Sequence, residues 1–213
     1  MDFTSWIPAL LSTQTPLLPA PLVFRLYLDL AWGLVLAALG LAWLARRNAG
    51  GRLARWLPPV LLLGCLLPGA LSPAYWLGLA LRAPSGLLVL FCAWTLWRHY
   101  RPQTPGPAPG PVLQSCAWPL VALGWLLLLD TFALLPFSLY AWGFAPVTLG
   151  VLALLGLMPA LLRAQYALSG LWLGVLLLHL VLRLPTGNAW DAVLDPALWL
   201  WLQVAALRRL RRG

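Results

Sequence analysis

The chain contains no lysine and no glutamate, and only 9% of its 213 residues are charged: fourteen Arg and five Asp. A soluble domain carries about 25% charged residues, because its surface must be solvated. So few charges could not cover a water-soluble globule of this length. Cysteine is scarce too. Cys65, Cys92 and Cys116 form no C-x-x-C pair and fall inside or at the end of apolar runs. That excludes a disulfide framework and a zinc site, and leaves them as small buried apolar residues. The nucleotide, metalloprotease and serine-hydrolase motifs are missing: no P-loop, no G-x-G-x-x-G after a strand, no H-E-x-x-H and no G-x-S-x-G. No loop is long enough to fold as a soluble catalytic domain, and no cofactor or metal is expected.

What is present is apolar. Hydrophobic residues make up 62% of the chain and the mean hydropathy is +0.86, so the solvent for most of the surface is lipid. The predicted fold class is all-α, a polytopic transmembrane helix bundle of six to seven spans with no soluble domain. The net charge of +9 does not point to nucleic acid. The arginines cluster beside apolar runs (Arg46, Arg47, Arg52, Arg55; Arg98, Arg101; Arg208, Arg209, Arg211, Arg212), as the positive-inside rule requires. Arginine without lysine suits a GC-rich genome, hence a bacterial inner membrane.

Residues 1–20 lack the basic start of a signal peptide. Phe3, Trp6, Ile7, Leu10 and Leu11 recur at helical spacing behind Asp2, which predicts an interfacial amphipathic segment. Residues 21–101 form a first transmembrane group of about three spans, near 22–44, 57–71 and 81–97. Prolines 58, 59, 68 and 73 crowd the second. Residues 102–111 hold five prolines in ten and are expected as an extended cytoplasmic linker. Residues 112–213 form a second group of about four spans, near 112–135, 144–162, 168–184 and 196–207, with a basic tail. Asp195 followed by Pro196 is a helix start, an acid at the N-cap and proline at the first position.

Seven spans with the Arg208–Arg212 cluster in the cytoplasm place the N-terminus outside. Eleven arginines (46, 47, 52, 55, 98, 101, 163, 208, 209, 211, 212) then face the cytoplasm and three (25, 82, 183) the outer side, whereas all five Asp fall on or toward the outer side. Trp6, Trp76, Trp142 and Trp190 lie at the outer interface and Trp43, Trp56, Trp97 and Trp118 near the inner one, which are belt positions. Trp32, Trp125, Trp172, Trp199 and Trp201 lie deeper, where they pack between helices or line a cavity. Gly170 and Gly174 make a G-x-x-x-G that would let a second helix approach.

Few side chains remain for chemistry. Asp29, Asp130 and His179 share a depth in the outer half of their spans, where an ionised carboxylate costs ~2.5–3.5 kcal/mol and needs a partner. Arg25 and Asp29, and likewise His179 and Arg183, are four residues apart on one helix face, and Arg82 adds a further cation. One reading converges these residues into an outward-opening polar cluster roofed by the loop of Thr186, Asn188, Trp190, Asp191 and Asp195. Two Asp and one His would relay protons there, and Arg25, Arg82 and Arg183 would bind a phosphate or carboxylate. The other reading is structural: Arg25 and Arg183 snorkel, Asp29 pairs with Arg25, Asp130 caps a helix break, and His179 is a satisfied core histidine.

Three functions fit. The first is a non-catalytic subunit or assembly factor of a larger membrane complex, with a membrane-protein partner and anionic lipid at Arg208, Arg209, Arg211 and Arg212. The second is a proton-coupled transporter of a small solute or lipid working through Asp29, Asp130 and His179. The third is an intramembrane enzyme acting on a lipid-linked substrate at the outer face, which lacks an obvious nucleophile. Small size and absent soluble domains favour the first.

Overall fold

The computed structural model describes residues 18–102 and 106–211. Among them the regular elements are eleven α-helices and one 3-10 turn, with no strand. The chain is all-helical. The expected interfacial helix of residues 1–20 falls outside the described residues except for its last three.

Proline opens five of the helices at a position where its missing N–H is not needed: α1 (Pro21–Arg46), α3 (Pro73–Leu81), α5 (Pro109–Gln114), α8 (Pro146–Arg163) and α11 (Pro196–Leu210). Much of the proline content is therefore punctuation. The others are α2 (Arg52–Cys65), α4 (Gly86–Tyr100), α6 (Ala117–Thr131), α7 (Leu139–Trp142), α9 (Tyr166–Leu182) and α10 (Ala189–Val193).

Two helices, α1 and α8, are long and apolar enough to cross a membrane; α6 and α9 are shorter apolar helices. Several expected spans are subdivided. The segment near 81–97 is α4 alone, because Ala83-Pro84-Ser85 separates it from α3. The segment near 112–135 is α5 and α6, broken at Ser115 and Cys116. The helix α2 begins at Arg52, ahead of the expected Leu57, and ends after 14 residues. At ~1.5 Å per residue it spans roughly 20 Å against a hydrocarbon core of about 30 Å. The linker also departs from an extended chain, since α5 begins within it at Pro109. Pro109 and Pro111 occupy its first turn, where an N–H has no partner inside the helix.

The helix ends fall into two groups. Arg46 at the end of α1 shares a cleft with Arg208 and Arg209 at the end of α11, and Arg98 of α4 lies beside the last turns of α1, while at the other ends Ser85 meets Asp195 and segment 139–143 meets loop 186–195. The long α1 packs on α2, α3 and α4, and α4 also packs on α9 and α10. The largest core cluster joins Leu87 of α4 to Leu113, Leu120, Leu152, Val175, Val193, Leu198 and Leu202, so the two halves share one core across the proline-rich segment.

Glycine and tryptophan set the closest helix pairs. Gly156 leaves room for the Trp172 ring, whose indole N–H donates to the Leu152 carbonyl at 2.8 Å and ties α9 to α8. Gly124 receives Trp199 in the same way, with the indole donating to Val121 O at 3.1 Å and tying α11 to α6. Each ring buries apolar area while its one polar atom finds a carbonyl. Trp32 donates likewise to Arg82 O at 2.9 Å. Trp125 stays half exposed and stacks edge-on with Trp199 at 5.2 Å. The anticipated G-x-x-x-G contact is not made as a pair: Gly174 meets Leu90, and Gly170 faces open space.

Candidate functional site

The loops at 130–145 and 183–195 are laced by short polar side chains, beginning with Asn188. It is fully buried; its Oδ1 accepts from Trp190 N at 2.9 Å and its Nδ2 donates to Tyr140 O at 2.9 Å. Around it, Ala189 N donates to Gly143 O at 2.9 Å and the Trp190 indole to Leu139 O at 2.9 Å. A Cβ on Gly143 would overlap Asn188 and Trp190. Loop 186–195 is thus fastened to segment 139–143. Trp190, expected at the wet interface, is only 9% exposed.

Two carboxylates flank Tyr140. Asp191 Oδ2 accepts from the Tyr140 hydroxyl at 2.8 Å and from Thr186 Oγ1 at 2.5 Å. Asp130 Oδ2 accepts from Tyr140 N at 2.6 Å and from Ser138 Oγ at 3.4 Å. Ser138 in turn caps α7 by accepting from Ala141 N. Burial first, then the Asp191 carboxylate, pushes the Tyr140 phenol up to about 12. The Arg82 guanidinium is near enough to oppose that rise.

Asp195 is buried and bridges two helices. Its Oδ1 accepts from Leu198 N at 2.9 Å, capping α11, and its Oδ2 accepts from Ser85 N at 2.8 Å at the start of α4. The Ser85 hydroxyl accepts from Leu88 N at 3.2 Å, so α4 is capped as well. Tyr27 of α1 completes this corner by donating to Pro84 O at 2.7 Å.

His179 is 1% exposed and its Nδ1 lies 3.0 Å from Leu184 O. A carbonyl only accepts, so Nδ1 carries the proton. Arg183, four residues on, ends α9 in the left-handed region (φ 56°); its N–H donates to His179 O at 2.7 Å and its carbonyl accepts from Gly187 N at 2.7 Å. Arg82 also ends α3 with a positive φ (61°), but with ψ −153° rather than in the left-handed helical region. Two of the three candidate anion-binding arginines are thus helix terminators by backbone, with Arg82 exposed and Arg183 half-buried at the side chain. Arg25 is exposed on α1. Asp29 stands apart from Asp130 and His179: it is half-buried on α1 and its charge acts toward Cys65 at the end of α2. Asp130, Tyr140, Asp191, Thr186 and Asn188 form one connected set, and Asp195 a second with Ser85.

Tyr140, Ser138 and Ser85 are not among the residues the sequence singles out. The two serines carry a legible signal, each one residue before a helix; Tyr140 carries none. Every buried side-chain nitrogen and oxygen among the described residues has a hydrogen-bond partner. Among the same residues no three His, Cys, Asp or Glu side chains gather as a metal would need.

The opposite ends of the helices are cationic. Arg47 lies over the Trp43 ring at 4.8 Å and Arg101 over Trp97 at 4.9 Å. Arg98 donates to Gly106 O at 3.0 Å, His99 Nε2 to Ala54 O at 3.1 Å and Tyr100 to Arg55 O at 2.8 Å. Arg46, Arg208 and Arg209 instead line a common cleft of about 670 Å³ between α1, α5 and α11. Arg211 is exposed just past α11, and Arg212 lies outside the described residues.

No known family matches. Neither a family model, nor a curated protein sequence, nor a solved structure is similar to this chain.

Proposed function

We propose that the chain is a multi-pass inner-membrane protein of six to seven membrane-embedded segments that acts as a non-catalytic subunit or assembly factor of a larger membrane complex. The observation that carries this reading is that the polar side chains around loops 130–140 and 184–195 are engaged by the chain's own backbone and hydroxyls. Asp130, Asp191 and Asp195 accept from backbone N–H groups and hydroxyls, Asn188 is engaged at both ends of its amide, and His179 is closed against Leu184 O. A proton relay or an acid–base pair needs a group that can exchange its partner with water or substrate. Here the polar chemistry holds loops in place.

The apolar surface agrees. Among the residues of α8, Val147, Leu154, Leu161 and Leu162 are each more than 60% exposed, and only 11% of its most apolar window is buried. Lipid or a partner helix covers such a surface. The short segments α2 and α3 fit a protein whose bundle is completed by a neighbour. The expected orientation puts the Asp-rich loops outside and the C-terminal arginines in the cytoplasm.

The test is purification of a tagged copy at native expression level in mild detergent, with mass spectrometry of what co-purifies. A stoichiometric membrane-protein partner is the expected result, and a lone monodisperse chain contradicts it. Asp130→Asn and His179→Ala supply the independent arm. Correctly folded variants should keep full cellular function, whereas loss of function with folding intact would favour a catalytic or proton-coupled site.

A further inference from the structure

Building on the membrane reading, we propose that the cleft between α1, α5 and α11 binds a phospholipid with an anionic phosphate headgroup. Arg46 reaches it from the last turn of α1, Gln114 from α5, and Arg208 and Arg209 from the last turn of α11. Among the described residues no acidic side chain lines it. Three guanidinium groups around one opening repel one another until an anion sits among them, and guanidinium and amide N–H groups match phosphate oxygens. Arg47, beside Arg46, is turned onto Trp43, which leaves Arg46 as the member of that pair that lines the cleft.

The same face of α11 becomes apolar below the arginines. Trp201, Val204 and Arg208 fall at i, i+3 and i+7, one above the other, and line the same cleft. Seven residues cover roughly 10 Å, the depth from a headgroup to the first methylenes of an acyl chain. Trp201 is held against the Phe91 ring at 5.6 Å, so the floor is fixed. A free phosphate would use the rim alone; a phospholipid uses rim and floor together. Basic pockets between helices on the cytoplasmic side are where anionic headgroups bind.

The experiment uses the full chain in detergent micelles and native mass spectrometry with phosphatidylglycerol, phosphatidylcholine or inorganic phosphate as probe. Phosphatidylglycerol should be retained over phosphatidylcholine. Changing Arg46, Arg208 and Arg209 together to Gln should weaken its retention about a hundredfold, at roughly fivefold for each charge. Arg101→Gln, outside the cleft, should leave retention unchanged. Should the triple variant fail to insert, Val204→Asp keeps all the arginines, sets a carboxylate in the cleft and should weaken phosphatidylglycerol by about tenfold. Equal retention of both lipids, or equal retention by wild type and variants, overturns the site. Displacement of the lipid by millimolar phosphate overturns the lipid assignment in favour of a free anion. A chain that is absent from the membrane fraction fails the membrane reading instead, and that outcome is distinct from these.

Discussion

At one end of the helices Asp130, Asp191 and Asp195 direct their oxygens at backbone N–H groups and hydroxyls of neighbouring loops. At the other end Arg46, Arg208 and Arg209 surround a cleft that no acidic side chain among the described residues lines. Both ends are polar, yet one is closed by its own chain and the other is open. The difference follows from side-chain length and position. Short Asp, Asn, Ser and Thr groups satisfy helix starts and turns locally, while long arginines at helix ends reach beyond the fold.

The comparison predicts unequal responses to substitution. The largest belongs to the closed end: Asp195→Ala removes two carboxylate–N–H bonds and leaves the buried Ser85 N–H without its partner, which should destabilise by about 3 kcal/mol in denaturant unfolding. Gly143→Ala drives a methyl group into Asn188 and Trp190 and should cost about 2 kcal/mol by overpacking. Gly156→Ala meets Trp172 at the α8–α9 contact and should cost about 1–2 kcal/mol, with a visible change in tryptophan fluorescence. By contrast, Arg208→Gln and Arg209→Gln at the open end should each stay within about 0.5 kcal/mol of wild type in the absence of lipid. An equal loss at both ends would remove the distinction.

A further effect is one of pH. The Tyr140 phenol is pushed up to about 12 in the folded chain, against about 10 in an unfolded one. The folded state therefore holds this proton more tightly, and its contribution to stability is complete below about pH 10 and lost as pH rises toward 12. A difference titration of tyrosinate absorbance between wild type and Tyr140→Phe should show a late-ionising phenol, and Tyr140→Phe should flatten that alkaline loss. A Tyr140 that ionises near 10 would contradict the hydrogen bond to Asp191.

The helical class was legible because 62% apolar content and 9% charge leave little else, and helix starts such as Asp195–Pro196 carry their own chemistry. Helix lengths were less legible. The break at Ala83-Pro84-Ser85 has local signals in Pro84 and the Ser85 cap, but the docking of that corner on Asp195, 110 positions away, is encoded by no local pattern. Asp130 was visible as a carboxylate at the end of an apolar run, but its use as a cap for segment 138–140 depended on Tyr140 N. His179, Arg183 and Arg82 looked like one charged set. Positive φ at both arginines shows that the chain uses these positions to end helices, which composition does not reveal. The Trp–Gly pairs were invisible because each links two helices, and a tryptophan in an apolar run reads alike whether it meets glycine or lipid.

The proposed topology puts the two ends on opposite sides of a membrane, and site-directed thiol labelling tests it most directly. Pro136→Cys sits in the exposed segment beside Asp130 and Arg211→Cys in the exposed turn after α11. With a membrane-impermeant maleimide on intact cells, Pro136→Cys should be labelled at once, and Arg211→Cys only after permeabilisation. Labelling of both from outside, or of neither, would contradict the account.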